Sequence, residues 1–300
     1  MEDRDTTLSK RNAPEVAAPP RPRGQQRVDR AHVPAPMVGG CRFVVCEDFE
    51  TMSRTAADMM ADEIRAKRDL AISLATGDSP TRCYQLLAAR RAEDPELFSE
   101  VRFVKLDEWG GLQPNDPATC EYYLRKHMIG PLGIPDERFI AFHSNPPDDQ
   151  AECDRVRGEL ERLGVIDLCV LGLGMNGHLG FNEPADSLRQ IPHAAALSKT
   201  AMSHSMLDDA DQPQAVRCGL TLGMGNIMHA GKVMLLVTGS HKRPAMRQFL
   251  ARRITARFPA SMLWMHREVW CICDADCVEG LDVSWTRAGG IDEMGLYQLD

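Results

Sequence analysis

The stretch DLCVLGLGMNGHLGFNEP, residues 167–184, joins a strand-like run to a glycine-rich turn. Its first half is apolar, and its second half places His178 among glycines, with Glu183 and Pro184 shortly after it. Glycine lets the backbone adopt positive φ and approach a ligand closely. The order of strand and turn therefore predicts an α/β fold with a ligand at the end of this strand.

The turn includes residues 172–177, GLGMNG, which fit the G-x-G-x-x-G pattern of dinucleotide-binding folds. However, His178 follows at once, and Pro184 breaks the helix that should open there. The residues therefore do not favour a nicotinamide cofactor. A histidine with a carboxylate, here Glu183, and an amide close by is better interpreted as an oriented proton shuttle.

Strand-like and helix-like segments alternate on both sides of this stretch. Several strand-like runs are continuously apolar, as in parallel strands covered on both faces. The alternation predicts a single doubly wound α/β domain, a mostly parallel sheet flanked by helices in a Rossmann-like arrangement. The predicted strands are 41–46, 71–75, 102–106, 138–142, 166–172, 233–237 and 269–273. The predicted helices are 52–64, a segment from 80 onward, 117–128, 147–163 and 241–254.

The composition of the 300-residue chain is that of a globular protein, with 43% hydrophobic and 26% charged residues. Its formal net charge of −8 gives no electrostatic footprint for nucleic acid. No apolar run approaches the roughly 20 residues that cross a bilayer, and the N-terminus lacks a secretory signal. We therefore predict a cytoplasmic protein that binds neither nucleic acid nor a membrane.

Four of the ten cysteines, Cys46, Cys169, Cys271 and Cys273, lie in apolar strand-like runs, and no Cys-x-x-Cys pair occurs. A structural zinc site therefore has little support. Cys271 and Cys273 would share one face of a strand, which adjacent core thiols explain. We predict that the cysteines are reduced and buried.

The first 36 residues differ from the rest of the chain. They contain six prolines, scattered arginines and no aromatic residue. Such a segment cannot bury enough apolar surface to order itself, so we predict a disordered leader at residues 1–36. A short basic docking arm is the alternative. Residues 37–300 would form the α/β domain.

Two strand ends have features of an anion site. Thr76, Gly77 and Ser79 follow the second predicted strand, and Ser79 suits the N-cap of the next helix. A helix N-terminus attracts anions such as phosphate. An ordinary capped turn is the alternative, and Asp78 opposes phosphate unless its side chain points away. Lys242, in the first turn of a later helix, is best explained by a bound anion, with a solvent-facing lysine as the alternative.

Two adjacent acids, Asp107 and Glu108, follow the third predicted strand. In the cleft of an α/β sheet, one of them is a candidate general base. The alternative is a carboxylate that caps a helix or a loop.

Together these segments resemble the glucosamine-6-phosphate deaminase (isomerase) family. The resemblance covers about residues 44–276, and the Gly-His and Phe-Asn-Glu-Pro elements are its specific part. The related 6-phosphogluconolactonases share the Gly-His start but not the Asn-Glu-Pro end. The stretches that carry it are DLCVLGLGMNGHLGFNEPADSL (167–188), SLATGDSP (73–80), FVKLDEW (103–109) and VTGSHK (237–242).

The resemblance implies an enzyme that converts glucosamine 6-phosphate or galactosamine 6-phosphate to the ketohexose 6-phosphate and ammonia, with no metal or organic cofactor. Asp107 would be the general base that takes the proton from C2. His178 would move the proton during ring opening, oriented by Glu183, with Asn176 beside it. The residues that would hold the phosphate are Thr76, Gly77, Ser79 and Lys242.

The chain departs from the family pattern at three places. Asn176 stands where an aspartate is common, which fits the galactosamine-6-phosphate branch, and Asp78 replaces a glycine of the phosphate loop. Residues 196–205 contain no clear match for a phosphate-binding arginine, and Lys199 and His204 are the candidate substitutes. The basic residues of an allosteric site are not evident, so allosteric activation is not predicted.

Two other functions stay open at this point. One is a 6-phosphogluconolactonase-like hydrolase, against which residues 181–184 count. The other is a non-catalytic sugar-phosphate sensor, which would not need Asp107, His178 and Glu183. The sequence does not fix the oligomeric state, and a homo-oligomer is among the options.

Overall fold

The computed structural model describes residues 40–202, 205–283, 289–291 and 297–298. The predicted leader, residues 1–36, and His204 lie outside this part of the chain. The strands are β1 (Cys41–Cys46), β2 (Ala71–Leu74), β3 (Arg102–Lys105), β4 (Asp107–Gly110), β5 (Phe139–Ile140), β6 (Leu168–Gly172), β7 (His193–Ala195), β8 (Cys218–Thr221), β9 (Lys232–Val237), β10 (Val269–Asp274), β11 (Gly289–Ile291) and β12 (Tyr297–Gln298).

The larger of two sheets has the strand order β11-β12-β1-β10-β9-β6-β2-β3-β5 within the described residues. Every neighbouring pair from β1 to β5 in this order is parallel. Two short strands, β12 and β11, add antiparallel pairs along one edge. The seven parallel strands are the seven predicted from the sequence, with ends that differ by at most two residues. The predicted mostly parallel sheet is confirmed.

Helices cover both faces of this sheet. Alternate side chains of a strand point to opposite faces, and in β9 Met234 and Leu236 belong to one buried cluster whereas Val233 and Leu235 belong to another. A π-helical turn, Arg125–Ile129, follows the short helix Cys120–Leu124. No helix in the described residues has the length and apolar composition of a membrane span. The helices are α1 (Phe49–Ala66), α2 (Asp78–Ala89), α3 (Cys120–Leu124), α4 (Gly130–Leu132), α5 (Asp149–Leu163), α6 (Lys199–Met202), α7 (Met224–Met228), α8 (Arg243–Leu250) and α9 (Ala275–Val278).

The two buried clusters show that the sheet is doubly wound. Residues of α1 and α2 pack in the cluster that contains Met234 and Leu236. Residues of α5, α7 and α8 pack in the cluster on the other face. The sheet is therefore covered on both sides, which explains why its strands are continuously apolar.

The ends of the predicted helices shift by a few residues, and two of the differences bear on the loops that lead into α2 and α8. Ser79 is not an N-cap: α2 begins at Asp78, with Gly77 as N-cap at a φ of +109° and no side-chain capping bond. The backbone enters the helix earlier because glycine accepts this positive φ. The predicted helix 241–254 is a 3-10 turn, Ser240–Lys242, followed by α8. Beyond α8, Arg252 has a φ of +55°, which ends the helical path.

The smaller sheet, β4-β8-β7, was not predicted. β4 follows β3 after one residue, yet it leaves the larger sheet and pairs antiparallel with β8, with Asp107 opposite Thr221. β7 pairs with the other side of β8. These strands are short, and more than 100 residues separate β4 from β8. A local pattern contains little information about such a pairing.

Glu108 joins β4 to the start of α3. Its carboxylate forms an ion pair of 2.5 Å with Lys105, and both side chains are 0% exposed. It also accepts hydrogen bonds from the backbone N–H groups of Trp109, Cys120 and Glu121 at 2.7, 2.8 and 2.9 Å. Of the two adjacent acids in the sequence, Glu108 is thus the one that caps.

We expect Glu108→Gln to lower the free energy of unfolding by about 3–5 kcal/mol, because the amide nitrogen would face N–H donors and the buried Lys105 would keep only the more distant carboxylate of Glu121, at 3.5 Å. Urea denaturation followed by circular dichroism measures the loss. Lys105→Met is the matched variant and should cost less, since Glu108 keeps its three backbone donors. An unchanged midpoint for Glu108→Gln, or a larger loss for Lys105→Met, would contradict this account.

Candidate active site

A cavity of about 320 Å³ lies at the carboxyl ends of β2, β3, β6 and β9. The neighbouring strands β2 and β6 lead away in opposite directions, β2 to β3 and β6 to β9. Such a switch point leaves a crevice in which ligands of α/β sheets bind. Predicted site residues that line the cavity are Thr76, Gly77, Ser79, Asp107, His178 and Lys242. The other two, Asn176 and Glu183, lie behind His178 and are not part of the cavity wall.

The turn after β6 brings His178, Glu183 and Asn176 together. Oε1 of Glu183 lies 3.6 Å from Nδ1 of His178. The Asn176 amide donates to Oε2 of Glu183 at 2.8 Å, and its carbonyl accepts from the His178 backbone N–H at 3.2 Å. A Cβ atom on Gly174 would lie 2.3 Å from the His178 ring, so glycine is required there. The turn thus fixes a histidine against a carboxylate.

Asp107 lies at the wall of the cavity, and this residue is buried, with only 8% of its surface exposed. Its Oδ1 has no hydrogen-bond partner among the described residues. Burial raises the pKa of Asp107 to about 7, and the Glu108 charge adds to the rise, whereas Lys105 and the Cys120 thiol oppose it. Gly180 has a φ of +57°, and a Cβ there would lie 3.3 Å from Oδ2 of Asp107. A carboxyl group of this pKa can both take and return a proton at neutral pH.

The start of α2 and Lys242 form another part of the wall. Nζ of Lys242 donates to the Leu173 carbonyl at 2.7 Å. Burial lowers the pKa of Lys242, and the Asp78 carboxylate partly offsets this effect. The Tyr123 hydroxyl donates to the Gly77 carbonyl at 3.0 Å and so holds the loop before α2. A partly desolvated cation beside a helix N-terminus suits an anion, although Asp78 also lines this end.

Asp274, at the end of β10, is a site residue that the sequence analysis missed. This buried carboxylate accepts from the Gly239 backbone N–H at 2.9 Å and from the Thr238 hydroxyl. It also accepts from the Cys277 backbone N–H at 3.0 Å at the start of α9. Asp274 thereby fixes the turn that leads from β9 to Lys242. An acid at a strand end before a helix was the available signal.

The segment after β7 lines the cavity with Ala201, Ser205 and Met206. Lys199, one of the two candidate substitutes for a phosphate-binding arginine, is exposed and is not among the residues that line the cavity. Ser198 was missed from the sequence, and its hydroxyl donates to Oε1 of Glu183 at 3.1 Å.

All ten cysteines are free and buried, as predicted. In the part of the chain that the structure describes, no group of three or more His, Cys, Asp or Glu side chains is placed to hold a metal ion.

Comparison with known proteins identifies the family. The family described as glucosamine-6-phosphate isomerases/6-phosphogluconolactonase matches residues 48–271. The AgaI protein of Escherichia coli (strain K12) is 40% identical over 226 residues, which are 75% of this chain and 89% of AgaI. The glucosamine-6-phosphate deaminase of Geobacillus sp. (strain WCH70) is 32% identical over 237 residues, 79% of this chain and 94% of the relative. The chain belongs to this family.

Solved structures of the glucosamine-6-phosphate isomerase/6-phosphogluconolactonase family have the same fold. A monomeric glucosamine-6-phosphate deaminase of the NagB superfamily aligns with a TM-score of 0.75 at 30% identity, covering 79% of this chain and 98% of that one. The 6-phosphogluconolactonase from Trypanosoma cruzi aligns with a TM-score of 0.68 at 20% identity, covering 82% and 98%. The latter likeness shows the fold alone. The predicted family is confirmed.

We expect Asp107→Asn to stabilise the fold at alkaline pH. Folding raises the pKa of this carboxyl group from 3.8 to about 7, so the ionised form is disfavoured in the folded state and stability is lost as pH rises between these values. The neutral amide avoids that loss, and the gain should be roughly 4 kcal/mol at about pH 8 and absent near pH 4.

Urea unfolding of both proteins at the two pH values measures this difference. Asp209→Asn, at an exposed aspartate, is the matched control and should change little at either pH. A gain for Asp107→Asn that is the same at both pH values would show that its pKa is not raised.

Proposed function

We propose that residues 37–300 form a hexosamine-6-phosphate deaminase that converts glucosamine 6-phosphate or galactosamine 6-phosphate to the ketohexose 6-phosphate and ammonia. The observation that carries the proposal is one cavity lined by a buried carboxyl group, Asp107, a histidine backed by Glu183, and a partly desolvated lysine, Lys242. Relatives named glucosamine-6-phosphate deaminase support the same reaction.

Ring opening is the first task, and His178 is suited to it. The cyclic sugar must lose the proton of its anomeric hydroxyl, and the ring oxygen must gain one. A neutral imidazole can take the first proton and deliver the second. Glu183, 3.6 Å from Nδ1, favours the ring orientation and tautomer in which the other nitrogen is the base.

Isomerisation and loss of ammonia follow in the open-chain form. Asp107 takes the proton from C2, the electron pair forms a C1–C2 double bond, and the aldehyde oxygen gains a proton. The nitrogen, which has by then lost its ammonium proton, forms a double bond to C2 as C1 of this enolic intermediate is protonated, and a protonated imine remains at C2. Water adds to the imine, ammonia leaves, and a ketone remains. A pKa of Asp107 of about 7 suits both the removal and the return of a proton.

The phosphate would bind beside the start of α2. Thr76, Gly77 and Ser79 at the start of α2, together with Lys242, offer a helix N-terminus, hydroxyl groups and a cation. Burial lowers the pKa of Lys242. A bound phosphate would oppose this effect, because its negative charge favours the protonated form of the lysine. Binding energy at this remote group can then be used to place C1 and C2 against the catalytic residues.

The proposal extends to the cellular setting. Ten free, buried cysteines fit the reducing cytoplasm, where sugar phosphates are metabolised. The partner is a small molecule, the reaction above needs neither metal nor organic cofactor, and a homo-oligomer remains compatible with it.

The test is release of ammonia from glucosamine 6-phosphate and galactosamine 6-phosphate, measured side by side with the full chain. Asp107→Asn is the control and should release none, because an amide cannot accept the C2 proton. Failure with both sugars, together with hydrolysis of a 6-phosphogluconolactone, would replace the proposal by the hydrolase alternative. Binding of both sugars without turnover would point to a sensor.

We expect Lys242→Ala to raise KM more than it lowers kcat. A charge-assisted hydrogen bond to phosphate is worth roughly 1.5–3 kcal/mol, so kcat/KM should fall about ten- to hundredfold. Arg247→Ala removes an exposed positive charge from the next helix, α8, and should leave both constants nearly unchanged. Equal use of the phosphate-free hexosamine by the native enzyme would refute the anion site.

We expect Asn176→Asp to move the acid limb of the kcat/KM profile to higher pH. The substitution places a second carboxylate against Glu183, where the amide now donates at 2.8 Å. Added negative charge favours the imidazolium form of His178, and the base form then needs a higher pH. Asn176→Ser, which loses the amide without adding charge, is the control. A limb that stays in place or moves down in Asn176→Asp would mean that residue 176 does not set the charge state of His178.

A further inference from the structure

The Glu183 carboxylate is held from two sides. On one side, the Asn176 amide donates to Oε2 at 2.8 Å from within the same turn. On the other, the Ser198 hydroxyl donates to Oε1 at 3.1 Å from a segment that follows β7. The Glu183 side chain is only 12% exposed, so water competes little for either oxygen. Ser198 therefore contacts the same oxygen that faces His178.

Ser198 also starts the helix that lines the cavity. Its hydroxyl accepts from the Ala201 backbone N–H at 3.1 Å, and its carbonyl accepts from the Met202 N–H at 3.0 Å. Ala201 lines the cavity. One hydroxyl group thus has two distinct roles, an acceptor role that caps α6 and a donor role toward Glu183.

The hydrogen bond from Ser198 to Glu183 matters because of the distance between Glu183 and His178. At 3.6 Å, Oε1 lies just beyond hydrogen-bond range of Nδ1, so a small displacement of the carboxylate decides whether the bond forms. When Nδ1–H donates to Glu183, the other ring nitrogen is left unprotonated and can act as a base. A carboxylate free to rotate would hold neither the ring orientation nor the tautomer.

We propose that Ser198 is a positioning residue for the His178–Glu183 pair. Its hydroxyl fixes Oε1 of Glu183 toward Nδ1 of His178 and so keeps the imidazole proton on Nδ1, which leaves the other ring nitrogen as the base. The role of the pair in turnover rests on the proposed function. The orientation of Glu183 and the tautomer of His178 are properties of the protein without substrate.

The two roles of Ser198 can be separated by substitution. Glycine caps a helix nearly as well as serine, so Ser198→Gly removes the donor and largely keeps the cap. Ser198→Ala removes both, and Ser198→Thr keeps both. Ser187→Ala, at an exposed serine between Glu183 and Ser198, is the matched control.

The first readout is steady-state ammonia release from whichever hexosamine 6-phosphate the native chain uses. We expect Ser198→Gly and Ser198→Ala to lower kcat about tenfold, with KM changed less than about twofold. Ser198→Thr and Ser187→Ala should stay within about twofold of the native chain. If Ser198 acted only as a cap, Ser198→Gly would have a native kcat and Ser198→Ala would mainly raise KM, and the proposal would be overturned.

The second readout does not depend on turnover. The ¹⁵N chemical shifts of labelled histidine, with the His178 signals identified by their loss in His178→Gln, report which ring nitrogen carries the proton. The native chain should hold the Nδ1–H tautomer, and Ser198→Gly should lower its population. An unchanged tautomer in Ser198→Gly overturns the proposal. If the native chain releases no ammonia from either sugar, the proposed function fails while this measurement still decides the role of Ser198.

Discussion

The geometry of the cavity depends on the hydrogen bonds and the ion pair that the Glu108 carboxylate forms. Successive side chains of a strand point to opposite faces, so in β4 Glu108 is directed away from the side on which Asp107 lines the cavity. Three backbone N–H groups and Lys105 fix the Glu108 carboxylate and bind β4 to α3. Asp107 is consequently fixed in place through its neighbour. Burial is the main cause of the raised pKa of Asp107, and the same cluster modifies it, because Glu108 adds to the rise and Lys105 restrains it.

Three acidic side chains near the cavity differ in the hydrogen bonds that their carboxyl oxygens accept. Glu108 accepts hydrogen bonds from four donors, and Glu183 accepts from an amide and a hydroxyl. Oδ1 of Asp107, in contrast, has no partner in the described part of the chain. Such a buried polar atom calls for a functional explanation, since native proteins satisfy most of them. A carboxyl group that lines a cavity and keeps one unbonded oxygen retains the acceptor that a base needs, whereas Glu108 and Glu183 accept hydrogen bonds on both oxygens.

The sequence predicts the features that arise within one element or one turn. The parallel strands follow from their apolar runs, and the pairing of His178 with Glu183 follows from a turn in which they are five residues apart. The smaller sheet, the contact of Ser198 with Glu183 and the bonds from Asp274 to the β9 turn join segments far apart in the chain. No local periodicity encodes such contacts. The prediction that Ser79 is the N-cap of α2 was wrong for a local reason. Gly77 permits the positive φ with which α2 starts earlier.

The cavity is lined by two groups whose charged forms burial disfavours. Burial raises the pKa of Asp107 and lowers that of Lys242. A hexosamine 6-phosphate carries the complementary charges, a phosphate dianion and an ammonium group at C2. The dianion favours the protonated form of Lys242, and the ammonium beside C2 favours the ionised form of Asp107, because opposite charges stabilise one another most strongly where water is excluded. Substrate binding would therefore generate the carboxylate that removes the C2 proton. A phosphate-free or amine-free sugar would lack one of these charges, so the distribution of charge in the cavity can select the substrate before any bond is broken.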